Sequence, residues 1–441
     1  MAPPSEPGDA HYASARAAAL TALHEGDAEG AWRHLRAHVS YPRLVPVADL
    51  EDALTVLPSI FVALGARALA ERTAEASLAP ADPERLYALG YQLIEDGLPP
   101  LAVTVLARGV ELAPDSEALV TELVAALESQ LAYRDAARVL AARPALVDGS
   151  FLCRYLLAFD SIMSGDLATA REVMPRLVPA EHAQERMAAR VQAMLARADR
   201  ATAHAPLGDR DLRAWHEVIT GGLLLHRSPY GFDAPMHGRY AWLQDSWALV
   251  RHGLERLRDV LRAWGWEPPC VYAPPGREHE AMAAAAATIL GVPQAPWPAV
   301  GAPAPGLVVA YDLATVAPRE LERLAQRRRD QVLHAHVTIW TEDAPVAAET
   351  TTLLAQRVVP PWERQLSIDP ATGEARESAE DPRDADALAA EILAAPPPSD
   401  DATACDDVPG LLDLARVAGM PEPGPRERCW AGSPVPSNRF A

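Results

Sequence analysis

The 441-residue chain is nearly half apolar (49%), enough for two or three domains with a sizeable core, and this composition rules out wholesale disorder. A formal charge of -20 and a pI near 5.1 argue against a nucleic-acid or anionic-membrane partner, because a phosphate backbone needs a cationic face. All forty basic residues are arginine, the mark of a GC-rich genome. The chain therefore cannot build a Walker phosphate loop, a pyridoxal-phosphate or Schiff-base site, or the kinase and β-lactamase motifs, each of which needs a lysine.

The segment Met1–Asp9 is Pro-rich and acidic and lacks the basic and apolar regions of a signal peptide. Cys153, Cys270, Cys405 and Cys429 are scattered with no C-x-x-C pair, which suits a reducing compartment. No run of eighteen apolar residues occurs. These features together predict a cytoplasmic protein.

Residues 11–200 read as a helical array. Tyr12, Ala15, Ala19 and Leu23 recur at helical spacing, Gly26-Asp27 interrupts them, and Ala31, Leu35 and Val39 resume the stripe. Leu54, Leu57, Phe61 and Leu64 form another stripe. Ala102, Ala136 and Ala170 then stand 34 positions apart, and Ala68 extends the ladder back by one rung. In the unit beginning near Pro83, Leu86, Leu89, Gly90 and Leu93 precede Gly97, then Ala102, Leu106, Gly109 and a closing Pro114. The units beginning near Glu117 and Phe151 repeat the pattern, the second without its turn glycine and the third with Gly165. Two antiparallel helices that approach closely need a small residue between them. Each hairpin then buries its open face against the next.

This spacing, with the Leu89-Gly90 pair, Ala102 and Pro114, resembles the tetratricopeptide (TPR) repeat. The resemblance implies a concave groove lined by the first helix of each hairpin. The matching positions are Tyr87, Tyr91, Glu95, Thr121, Glu128, Tyr155 and Phe159. Family members that grip a peptide's C-terminal carboxylate use Lys and Asn in this groove, and this chain has neither there. An aromatic, acidic groove suits an apolar or basic segment instead.

A boundary is placed at residues 200–210. Seven of the ten tryptophans then fall between Trp215 and Trp340, and strands alternate with helices through residue 360. The expected elements are a strand or hairpin at 218–225, a helix capped by Asp245 or Ser246, a strand at 270–273 and a helix at 278–290. Next come a buried strand at 307–311, a helix from Pro318 through Arg328 and a strand at 332–340. Such alternation predicts an α/β domain (210–360) with a mostly parallel sheet. Residues 361–441 read as an acidic, Pro-rich segment with short helices at 385–393 and 408–417.

Ligands of open α/β sheets bind beyond the carboxyl ends of the strands. Arg277 and His279, in a turn leading into a helix, and Asp312, just after a strand, form a candidate anion site there. Residues 265–340 also resemble, weakly, a degenerate phosphoribosyltransferase fold. The hydrophobic strand and one acid, Asp312, are present; the second acid and the glycine after Thr315 are missing. His334 and His336 share a strand face and could ligate a metal, but no third ligand is identifiable, His226 and His237 being guesses, and the face is read as half-exposed. The aromatic stretch Tyr230–Trp247 is read either as lining a pocket or partner surface or as filling the junction between the array and the α/β domain. No cofactor motif is present. The expected function is a non-enzymatic scaffold for a protein or peptide partner. The competing reading is an enzyme or binding domain for a phosphorylated sugar or nucleotide, acting through Arg277, His279 and Asp312.

Overall fold

A computed structural model describes residues 8–230, 236–301 and 303–437. The expectations for Met1–Pro7, for residues 231–235 of the aromatic stretch and for the last four residues lie outside these. The chain divides into two compact units, Met1–Val191 and Gln192–Ala441.

The first unit is helical. Its hairpins pair α1 (Gly8–His24) with α2 (Ala28–Val39), α3 (Val47–Ala63) with α4 (Arg67–Leu78), and α5 (Pro83–Glu95) with α6 (Pro99–Leu112). They continue through α7 (Glu117–Glu128) with α8 (Tyr133–Ala141), the short α9 (Pro144–Gly149), and α10 (Phe151–Met163) with α11 (Leu167–Val173). The long helix α12 (His182–His204) contains the division between the units. Local chemistry sets the period. Asp82, Ser116 and Ser150, spaced by 34, each accept a backbone N–H at the start of α5, α7 and α10, through bonds of 3.0, 3.4 and 3.2 Å. Ala31, Ala102, Ala136 and Ala170 are wholly buried between paired helices. The ladder does not extend to Ala68, which is exposed. Ala70 is the buried small residue of that hairpin, because the preceding connection is not on the 34-residue period.

Each turn passes through a left-handed residue: Gly26 (φ 81°), Gly65 (81°), Gly97 (75°), Leu131 (57°) and Gly165 (88°). Leu131 thus holds the turn without the residue suited to it. A left-handed side chain costs about 1 kcal/mol, offset in part by the extra entropy glycine brings to the unfolded chain. Leu131→Gly is expected to stabilise the array by about 0.5 kcal/mol, and Gly97→Leu to destabilise it by about 1 kcal/mol. Helix-monitored urea unfolding reads both.

The second unit carries a parallel sheet. Helix α13 (Leu212–Thr220) is closed by Gly221 and leads into β1 (Leu223–Leu224), so the expected strand at 218–225 is helical over its first residues. Then come β2 (Tyr240–Gln244), α14 (Trp247–Ala263), β3 (Val271–Tyr272), α15 (Arg277–Leu290) and β4 (Gly306–Asp312). Ser246 caps α14 by accepting from the Leu249 N–H at 3.2 Å. Helix α16 (Pro318–Leu324) is shorter than expected. The chain turns at once into β5 (Gln326–Arg327), then β6 (Gln331–Thr338) and β7 (Thr350–Val359).

The sheet order is β1-β7-β6-β4-β3, with β2 also on β7 and every pair parallel. Strand β7, absent from the sequence expectations, is the hub. It pairs with β6 on one side and with β1 and then β2 on the other. Two antiparallel pairs, β8 (Leu366–Ile368) with β9 (Ala375–Glu377) and β10 (Gly424–Pro425) with β5, lie apart from it. One face of the sheet is covered by α14, α15, α17 (Ala385–Ala394) and α19 (Val408–Ala418), the last after the single-turn α18 (Asp400–Thr403). Leu388, Ile392, Leu411 and Leu414 enter this core, so the C-terminal segment completes the second unit. The other face packs Val308, Ala310, Leu333 and Ala335 against α16.

Candidate functional site

The groove positions of the array divide by exposure. Tyr91 is 48% exposed and Glu95 is exposed, while Tyr87, Thr121 and Glu128 are half-buried. Tyr155 and Phe159, expected in the groove, are instead 5% and 3% exposed and form core. Their rings stack at 5.8 Å, Phe159 meets Tyr133 edge-on at 6.2 Å, and Arg190 donates to the Tyr155 hydroxyl at 2.7 Å. The Thr121 hydroxyl turns back to the Glu117 carbonyl at 2.9 Å. Glu128 adjoins the fully buried Asp160. Burial, and then the charge and hydrogen bond of Glu128, hold the Asp160 carboxyl well above the usual carboxylate range. What stays open is a cleft of about 460 Å³ between the starts of α5 and α7, lined by Asp82, Pro83, Glu84, Tyr87, Ser116 and Leu119. Glu84, Glu95, Asp96 and Asp115 are exposed on the same two hairpins.

The three residues of the proposed anion site each make contacts within the protein. The Arg277 guanidinium donates to the carbonyls of Asp381 (2.8 Å) and Arg383 (3.2 Å), tying the C-terminal segment to α15. His279 is fully buried, and its Nδ1 accepts from the Tyr311 N–H at 3.1 Å. Burial lowers its pKa. Asp312 caps the turn after β4 by accepting from the Ala314 N–H at 2.8 Å. The structure does bring Thr315 within 3.4 Å of the His279 ring and 2.9 Å of the Asp312 carbonyl.

A buried polar layer lies between α14 and the sheet instead. The two histidines of β6 are wholly buried, because every residue of that strand is covered on both faces. His334 packs its Nδ1 against the Thr350 hydroxyl at 3.0 Å, and burial, reinforced by the neighbouring His336, lowers its pKa to about 3. The Asp245 carboxylate accepts from His336 Nε2 and from the Tyr311 hydroxyl, each at 2.9 Å. Trp362 closes over Tyr311 at 4.8 Å. The Asp245 group thus lies buried between the start of α14 and the sheet, with His336 and Tyr311 as its partners.

A second centre gathers His226, just beyond β1, His252 on α14 and Asp406, in the loop before α19. These residues lie up to 180 positions apart with no recognisable spacing, so no sequence signal pointed to them. Arg239, within the aromatic stretch, lies over Trp340 at 5.4 Å and donates to the Pro436 carbonyl at 3.3 Å. Burial lowers its pKa to about 9. The void beside it, about 20 Å³, has room for about one water.

No family model and no curated protein matches this sequence. No helix among the described residues is long and apolar enough to cross a membrane.

Proposed function

We propose that the chain is a non-enzymatic interaction protein whose TPR-like array holds a basic segment of a partner protein. The observation that carries this is the open cleft lined by Tyr87, Asp82 and Glu84, with Tyr91 and Glu95 exposed farther along the same helix, α5. Aromatic rings supply contact area at low entropic cost, and the acidic rim complements arginine or lysine side chains. The repeat assignment rests on the 34-residue spacing of caps and buried alanines together with the left-handed turns.

A basic peptide library displayed against the full chain tests the reading. Tyr87→Ala and Tyr91→Ala are each expected to weaken captured peptides by about tenfold, roughly 1.4 kcal/mol. Glu84→Arg with Glu95→Arg should weaken them further and reduce the salt dependence. Binding that is unchanged in all of these variants would overturn the assignment.

A further inference from the structure

The geometry points to a divalent transition-metal site at His226, His252 and Asp406, a function separate from the partner-binding cleft. His226 Nδ1 lies 2.9 Å from Asp406 Oδ1, and His252 Nε2 lies 2.8 Å from Asp406 Oδ2. All three ligand atoms fall within 4.8 Å of one another, and all three side chains are buried. The imidazole rings stand nearly perpendicular, at 86°, with centroids 5.9 Å apart, so both present an edge to one carboxylate.

Two imidazole nitrogens and one carboxylate are a donor set for Zn²⁺, Fe²⁺ or Co²⁺. Metal–ligand bonds of about 2.0–2.2 Å place neighbouring ligand atoms about 3.3 Å apart. An outward shift of a few tenths of an ångström thus opens the cluster to an ion. The surroundings match those of an oriented metal ligand set. His226 Nε2 lies 2.8 Å from the Tyr240 hydroxyl, and the Arg227 N–H donates to Asp406 Oδ1 at 3.0 Å. The nearby Arg213 guanidinium donates to the carbonyls of Leu224, Leu225 and Asp407, and does not pair with the carboxylate directly. A metal would place a cation directly against the carboxylate.

To bind the ion, each imidazole must present a bare lone pair at the nitrogen that faces Asp406. A proton at His226 Nδ1 must therefore move to Nε2, which faces the Tyr240 oxygen, or leave, and a proton at His252 Nε2 must move to Nδ1 or leave. The two freed lone pairs and the Asp406 carboxylate then face the ion.

The test uses the full chain. After chelator treatment and dialysis, it is titrated with Zn²⁺, Fe²⁺ and Co²⁺, followed by elemental analysis, melting temperature and the visible absorption of Co²⁺. One equivalent per chain, a raised melting temperature and the d–d bands of a low-symmetry Co²⁺ site are expected. His252→Ala should abolish all three readouts. Tyr240→Phe, which keeps the ring and removes only the outer contact, should weaken the metal about 10–100-fold. A folded wild-type chain that takes up less than a tenth of an equivalent of every ion overturns the proposal. So does a folded His252→Ala chain that still binds one equivalent.

Discussion

Glu349→Gln is expected to lower the stability of the second unit by about 3–5 kcal/mol, because it breaks a buried ion pair from one side. The Glu349 carboxylate is 2% exposed and accepts from Arg426 Nε (2.8 Å) and Nη2 (2.9 Å), Arg327 Nε (2.8 Å) and the Leu333 N–H (2.6 Å). Arg426 also donates to the Leu324 carbonyl at 2.5 Å. One carboxylate thus joins β6, β5 and Arg426, the residue that follows β10. An amide in its place leaves two guanidinium groups without a counter-charge in a medium that solvates them poorly. Nine of the ten tryptophans lie in this unit, so fluorescence-detected urea unfolding reads it selectively.

The pH dependence has a definite sign. Burial pushes the Glu349 pKa up, but Arg426 and Arg327 outweigh it, and the net shift is downward from 4.5. A carboxylate with a depressed folded pKa stabilises above its unfolded pKa, and that contribution is lost as pH falls through the folded value. Wild-type stability should therefore drop below pH 4.5, and Glu349→Gln should flatten the drop. The double variant Glu349→Leu with Arg426→Met should recover part of the loss, since an apolar pair avoids the uncompensated charge. A loss under about 1 kcal/mol at neutral pH would mean that water reaches the pair.

Gly253→Val is the second large effect, expected to destabilise the unit by about 3 kcal/mol through overpacking of α14 on the sheet. A Cβ at this position would lie 2.6 Å from the Thr352 methyl and 3.0 Å from His336 Nδ1. Both neighbours sit on strands, Thr352 is β-branched, and neither can swing away. The helix must therefore lift, loosening both the Asp245 and the Asp406 centres. Gly253→Ala should cost less, about 1–2 kcal/mol, because alanine also favours the helix. Adding Thr352→Ala to Gly253→Ala should return most of that loss. If the double variant is no more stable than the single one, crowding at Thr352 is not the cause.

Legibility followed the range of the interactions involved. The array was readable because its determinants are local: a cap, a small residue and a turn recur within each hairpin. Leu131 shows the limit, since a left-handed leucine carries no local sign and only its place in the series explains it. Strand β7 was missed because Thr350–Val359 is covered over most of its length and shows no alternation of apolar and polar residues. His334 and His336 were placed correctly on one face, but the helix that buries that face is distant in sequence. Tyr155 and Phe159 had the right helical phase for a groove but are buried, Phe159 against Tyr133 and Tyr155 against Phe159 and Arg190.

By itself, the sequence determined the class of each half and the exclusion of lysine chemistry, because composition, period and capping act through neighbours along the chain. Only the tertiary structure decided which polar groups meet. Arg277 is engaged by backbone carbonyls, Glu349 joins three segments, and His226, His252 and Asp406 converge from three elements. Burial without water forces Glu349, His226, His252 and Asp406 to find partners, and in this fold most of those partners are far away along the chain.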